Sequence, residues 1–311
     1  MDGRAWLAVY LKGAAMGAAD AVPGVSGGTI ALITGIYERL VGAIAALDPL
    51  EALGLLALVP RLGDADARAE LWASLVEMDV PFLAVLGVGL VTAVVTVANV
   101  VHVAINDFPG LTFAFFFGLI AASVVVLLGE VTLDTPGRIA AAVVGFALAF
   151  VLSAQAQAGT LPEVLPVVFL AGAVAICAMV LPGVSGSLLL LTMGLYDTMT
   201  SAVSDATDAA LGGDLGATVA PVTTLVVFTA GAVVGLLSFA RVVEWALEQY
   251  RAATLTFLVA LMAGALRAPA IQIADANPTW SAASAGGVLV AAVLGAAVVL
   301  VLDATTDDLD Y

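Results

Sequence analysis

LKGAAMGAADAVPGVSGGTIALITGIYE occupies residues 11–38, and LAGAVAICAMVLPGVSGSLLLLTMGLYD occupies residues 170–197. At an offset of 159, 12 of the 28 positions are identical, among them Pro23/Pro182, Gly24/Gly183, Ser26/Ser185, Gly27/Gly186, Gly35/Gly194 and Tyr37/Tyr196. Sequence rich in Ala, Leu and Val produces chance matches. It does not produce Pro-Gly-Val-Ser-Gly twice, each time followed at the same distance by Gly-x-Tyr and an acid. The chain is read as an internal duplication, residues 1–158 and 159–311.

The solvent for this duplication is set by composition. The chain is 62% hydrophobic and only 11% charged, with a mean hydropathy of +1.14. A soluble domain is nearer half apolar and a quarter charged. The apolar runs approach the roughly 20 residues that cross a bilayer. They are continuous rather than alternating, which excludes a β-barrel. Spans are expected at 81–104, 111–129, 139–155, 219–240, 252–273 and 283–302. Residues 5–47 and 164–203 are apolar but interrupted, each read as two short helices joined at PGVSG. Residues 48–79 are amphipathic and read as interfacial, and 303–311 form an acidic tail. No cleavable leader is expected, because the first apolar stretch runs directly into PGVSGGT.

Three spans after a hairpin is an odd number, so the second repeat must start on the opposite side of the membrane. The basic residues agree. Arg4, Lys12, Arg39, Arg61, Arg68, Arg138, Arg241 and Arg251 fall on or towards one side, and only Arg267 on the other. That bias makes the first side cytoplasmic and places both termini inside. The expected fold is therefore an all-α polytopic membrane protein of two inverted-topology repeats. Each repeat is a broken, re-entrant-type hairpin plus three transmembrane helices, in one membrane domain.

Inverted repeats with interrupted helices are a transporter architecture, with the site near the midplane. Irregular backbone at that depth must be buried in protein or line a wet cavity. Pro23 and Pro182 stop the preceding helix. Gly24 and Gly183 permit a sharp turn. Ser26 and Ser185 are N-cap residues for the helices that follow. Gly27, Gly28 and Gly186 leave amides uncovered, and Thr29 and Ser187 add hydroxyls. Helix N-termini of this kind suit an anion, phosphate above all. The same small residues also suit close helix packing.

Ionisable groups at membrane depth are costly and point to function. Asp20, three residues before Pro23, reads either as a proton carrier coupling transport to an ion gradient or as a polar brace for the tip. Arg267 reads either as a bidentate phosphate clamp or as an anchor at the outer interface. Lys12 reads either as a base that reaches an anion or, the favoured reading, as one that snorkels to the cytoplasmic surface. His102 and Asn99 are read as packing or interhelical residues. Phe113, Phe115, Phe116 and Phe117 face lipid or core, or line a path for a lipid tail. The single Cys177 excludes an intrachain disulfide and marks no metal site. The 25 acids against 9 bases suit a solvated surface in concentrated salt, as in an extremely halophilic source. No metal, cofactor or nucleic acid is expected.

GAADAVPGVSGGTIALITGIYERL and LPGVSGSLLLLTMGLYD resemble the paired signatures of the polyprenyl-phosphate transporters, a bacterial and archaeal membrane family. GLIAAS (118–123) and LMAGALRAP (261–269) resemble its further motifs. The resemblance implies flipping of an undecaprenyl- or dolichyl-type monophosphate back to the cytoplasmic leaflet of the plasma membrane. It carries over to Pro23–Thr29, Pro182–Ser187 and Arg267. Ala265 stands where the motif leads one to expect a serine. Alternating access, without covalent chemistry, is the expected mechanism, and a small-anion transporter or channel using the same site is the alternative.

Overall fold

The computed structural model describes residues 3–20, 26–56, 59–61, 63–153, 161–212 and 215–306, and among them every regular element is helical. Pro23 and Gly24, the ends of the 139–155 span and of the acidic tail, and the side chains of Asn99 and His102 lie outside the described set. Among the described residues, fourteen α-helices follow in order. Residues 1–158 hold α1 (Gly3–Asp20), α2 (Gly27–Ile33), α3 (Tyr37–Ala45), α4 (Pro49–Leu56), α5 (Ala65–Glu77), α6 (Val80–Asp107), α7 (Pro109–Leu127) and α8 (Pro136–Leu152). Residues 159–311 hold α9 (Leu165–Val180), α10 (Gly186–Met193), α11 (Tyr196–Gly212), α12 (Leu215–Ala265), α13 (Arg267–Ala276) and α14 (Ala282–Thr306).

Among the described residues, three helical runs are long and apolar enough to cross a membrane, Pro109–Glu130, Thr218–Ala276 and Ala282–Val301. The number rises to five if each of two bent pairs makes one span. The expected span 219–240 falls in the first arm of α12, and 252–273 runs from its second arm past Leu266 into α13; the two arms meet at Tyr250, where φ −138° and ψ 40° leave the helical region. The 139–155 span appears as the 17-residue α8. The amphipathic stretch 48–79 folds as α4, a short turn and α5, and α5 meets α6 at a bend of 68°. Outward faces are apolar: Val91, Val95, Val143, Val226, Leu289 and Val293 are all exposed. A helix apolar all round needs an apolar surrounding. The chain is a multi-pass membrane protein.

The interrupted regions differ from expectation in one respect. Each contains three helices, not two. The second break falls at the repeated Gly-x-Tyr. Gly35 and Gly194 take left-handed φ of 70° and 74°. The Ile36 amide reaches the Ala31 carbonyl and the Gly35 amide the Leu32 carbonyl. Leu195 and Gly194 do the same with Leu190 and Leu191. These are Schellman caps, and the buried Ile36 and Leu195 are their hydrophobic contacts. At the first cap the chain turns by 116° between α2 and α3.

Helix pairs close on glycine. A Cβ on Gly13 or Gly17 would run into the α6 backbone at Leu86 or Leu90, and one on Gly172 into the α12 backbone at Phe228. Gly118 and Gly295 hold α7 against α14, and Gly145 and Gly264 hold α8 against the second arm of α12. Small residues permit this approach where the hydrophobic effect does not drive association. Tyr37, Phe82, Ile120, Leu258, Leu261 and Met262 fill the centre.

Candidate functional site

The two PGVSG segments meet. The Gly183 amide donates to the Thr29 hydroxyl at 3.0 Å. The Ser26 hydroxyl donates to the Leu181 carbonyl at 3.3 Å. Gly28 lies so near the end of α9 that a Cβ there would stand 3.0 Å from the Val180 carbonyl oxygen. Gly183 has φ 81° and is pressed on α12 at Met262 and Ala265. Ser26, Thr29 and Ser185 are all buried. Irregular backbone here is thus enclosed by protein, which is what permits it in an apolar surrounding.

Both serines cap as their sequence context predicts. Ser26 accepts from the Gly28 amide at 3.2 Å, and Ser185 from the Leu188 amide at 3.5 Å. Beyond the caps the tips differ. The Gly27 amide donates to Asp20 Oδ1 at 2.6 Å, and the Thr29 amide to the Ser26 carbonyl. The amides of Gly27 and Gly28, expected to be uncovered, are therefore taken within the chain. A carboxylate at a helix N-terminus is favoured by the unpaired amides there, and Asp20, the last residue of α1, is placed to supply it. On α10 the amides of Gly186 and Ser187 have no hydrogen-bond partner among the described residues, and the Ser185 and Ser187 hydroxyls lie 2.9 Å apart.

A cleft of about 230 Å³ is lined by Asp20, Met179, Ser185, Gly186 and Ser187. Asp20 also borders a second cleft of about 240 Å³, with Gly28, Tyr37, Leu86 and Val180. A third cavity, about 390 Å³, holds Tyr37, Glu38, Glu130 and Arg251. There Arg251 bridges Glu38 at 2.8 Å and Glu130 at 3.4 Å. Among the described residues no group of three or more His, Cys, Asp or Glu could hold a metal.

A family model described as VCA0040-like, undecaprenyl phosphate translocase-like, matches residues 16–300. The chain belongs to this undecaprenyl phosphate translocase-like family. A relative from Vibrio cholerae serotype O1, named polyprenyl-phosphate transporter, is 36% identical over 90% of this chain and 82% of its own length. A second of the same name, from Staphylococcus aureus, is 28% identical over 84% of each chain. No solved structure matches the chain. The family is one of transporters, not enzymes.

The translocase-like match takes in both tips and Arg267 but not Lys12. Arg267 opens α13 and is turned to α8: its Nη1 donates to the Phe150 carbonyl at 2.9 Å, and its guanidinium carbon lies 4.2 Å over the Phe150 ring. Its neighbour Ala268 shares a small gap with Gly183 and Ser185. Ala265, where a serine was expected, packs against Gly183. A hydroxyl there would stand beside the second tip.

Lys12 does not snorkel. It is buried, and its Nζ donates to the Thr34 carbonyl at 2.8 Å. A cation at the C-terminal end of α2 satisfies a carbonyl the helix leaves open. Phe113 belongs to the buried core, and Phe115, Phe116 and Phe117, partly buried, pack against it, with Phe115 and Phe116 edge to face at 5.3 Å. Cys177 packs between α9 and α12, its thiol 3.7 Å from the Gly235 carbonyl. The Arg251 pairs and the buried Tyr37 hydroxyl escaped the sequence reading. The repeated Tyr was the one signal for the latter.

Proposed function

We propose that this chain is a flippase for a polyprenyl monophosphate carrier, returning it to the cytoplasmic leaflet of the plasma membrane. The phosphate binds where the tips meet. Ser185, Gly186 and Ser187 supply open donors from α10. Ser26, Gly27, Gly28 and Thr29 form the opposite wall. Arg267 is brought beside the site through its neighbour Ala268, which shares a small gap with Gly183 and Ser185. The tail stays in lipid. The observation that carries this reading is the Thr29–Gly183 hydrogen bond, which sets the start of α10 against the start of α2 beside a cleft of headgroup size.

Alternating access follows from two inverted repeats, and the packing supports that reading. α1 packs on α6 as α9 packs on the first arm of α12. α7 packs on α14 from the other repeat, as the second arm of α12 packs on α8. Each repeat so lends its last helix to the other, the exchange expected of a pseudo-two-fold axis in the membrane plane. The excess of bases on one side supports a cytoplasmic position for both termini.

The test is leaflet exchange of a labelled polyprenyl phosphate in proteoliposomes of purified protein. Wild type accelerates exchange. Ser185→Ala with Ser187→Ala, and Arg267→Ala, slow it severely, and Arg267→Lys does not rescue, because an ammonium cannot reproduce the planar contact with Phe150. Wild-type rates in all of these variants would reject the site. Inhibition by inorganic phosphate as strong as by the lipid would favour the small-anion reading.

A further inference from the structure

We infer that Asp20 takes up a proton whenever the phosphate binds, so that anion and proton are carried together. This rests on the phosphate site proposed above. Asp20 lines the same cleft as Ser185, Gly186 and Ser187, so an arriving phosphate meets a carboxylate at close range in apolar surroundings. Two such anions cannot both stay charged in one small, mostly apolar cleft without strong repulsion. Arg267, the one base the proposed site draws on, lines neither cleft that Asp20 borders and is held on the Phe150 carbonyl, so it does not neutralise Asp20. From α2, α6, α9, α10 and α12 come only apolar, glycine and hydroxyl groups, and α3 adds Tyr37. No Lys, Arg or His among the described residues lines either cleft that Asp20 borders.

Protonation solves this with atoms already present. A proton from water adds to one carboxylate oxygen. Oδ1 continues to accept from the Gly27 amide, so the tip keeps its brace. The new O–H becomes a donor towards the phosphate, so a repelling group turns into a binding one. On release the proton returns to water.

The way out is marked by a second, independent observation. Tyr37 is wholly buried, and its hydroxyl has no hydrogen-bond partner among the described residues. The residue lines both the Asp20 cleft and the cavity that holds Glu38, Glu130 and Arg251. A buried hydroxyl without a partner is costly unless it serves a bound group or water. Here it is the polar side chain that stands between Asp20 and the charged cavity, and it passes the proton across.

The experiment is calorimetric titration of the full-length protein with farnesyl monophosphate at pH 8, in buffers of differing ionisation enthalpy, with farnesol as the control without a headgroup. At that pH the free phosphate is mostly a dianion. Wild type should take up about one proton more per ligand than Asp20→Asn, with an affinity that falls up to about tenfold per pH unit where Asp20 ionises. Asp20→Glu should restore the uptake. If Asp20→Asn cannot be purified, Asp20→Ser, which keeps an acceptor near Gly27, takes its place. Tyr37→Phe should keep the proton count and slow pH-driven exchange several-fold. Equal proton counts in wild type and Asp20→Asn, both binding, overturn the inference and leave the phosphate site standing. An unaltered Tyr37→Phe rate removes Tyr37 from the route. No binding by wild type, or equal binding of farnesol, overturns the phosphate site and the inference with it.

Discussion

Thr29 accepts a hydrogen bond from the Gly183 amide across 154 residues of sequence. It joins the starts of two duplicated segments. The bond is buried on the Thr29 side, where the residue has no exposure at all. Thr29→Val keeps the shape and removes the acceptor. The Gly183 amide is then left without its partner, at a cost of about 1–3 kcal/mol. Thr29→Ser should keep most of the stability. Thermal unfolding in detergent reads the first effect, and leaflet exchange should fall with it in Thr29→Val only. Equal melting of Thr29→Val and wild type would mean that the bond does not hold the tips.

The glycine seams separate packing from propensity. A Cβ on Gly118 would enter the backbone of Ala292, whereas one on Gly286 meets nothing within 4 Å. Gly118→Ala must therefore push α7 off α14, at a cost of about 1–3 kcal/mol. Gly286→Ala lies in the same helix pair without that clash, and should be neutral or gain up to about 1 kcal/mol from helix propensity. Unfolding temperatures of the two variants, in the same detergent, check the opposite signs.

What the sequence made legible is what local chemistry decides. The Ser26 and Ser185 caps follow from their place between a Pro-Gly turn and an apolar run, and both caps are present. The meeting of the tips was expected from reading the duplication as inverted, and the Thr29–Gly183 bond brings the two starts together. Contacts set by the tertiary path were not legible. Lys12 reads as a surface-seeking base until α1 is known to lie along the C-terminal end of α2. Asp20 reads equally as brace or proton carrier until its carboxylate is seen on the Gly27 amide. Arg251 pairs with Glu38 over 213 residues of sequence, a separation that no spacing rule covers. The break at Gly-x-Tyr lay in plain view as a repeated motif. It was missed because an apolar run conceals a glycine whose use is its sign of φ.

That sign is testable at Gly35. Its φ is 70°, and nothing lies within 4 Å of where a Cβ would stand. Substitution there changes backbone strain and nothing else in contact. Gly35→Ala should cost about 1–2 kcal/mol, the penalty of an L-residue in the left-handed region. Gly35→Asn should cost less, because asparagine visits that region more readily. A cost for Ala no larger than for Asn, read by chemical unfolding, would remove the Schellman cap as the reason for this glycine.

Arg251 bears on the charged cavity. Its side chain is 57% exposed, and its partners Glu38 and Glu130 are about half exposed. Exposed pairs contribute little, so Arg251→Gln should lower stability by at most about 1 kcal/mol. The pairs nevertheless tie α3 and the turn that follows α7 to the kink of α12, so the loss should be salt-dependent in a specific way. At about 1 M KCl the screening length falls to about 3 Å, and the gap between variant and wild type should close. Both proteins gain from screening a large negative net charge, −16 in the wild type and one more negative in the variant, since self-repulsion opposes the compact state. Rising melting temperatures alone therefore say nothing about Arg251. Only the difference between the two curves does, and a gap that stays constant from low to high salt would show that Arg251 acts by packing rather than by charge.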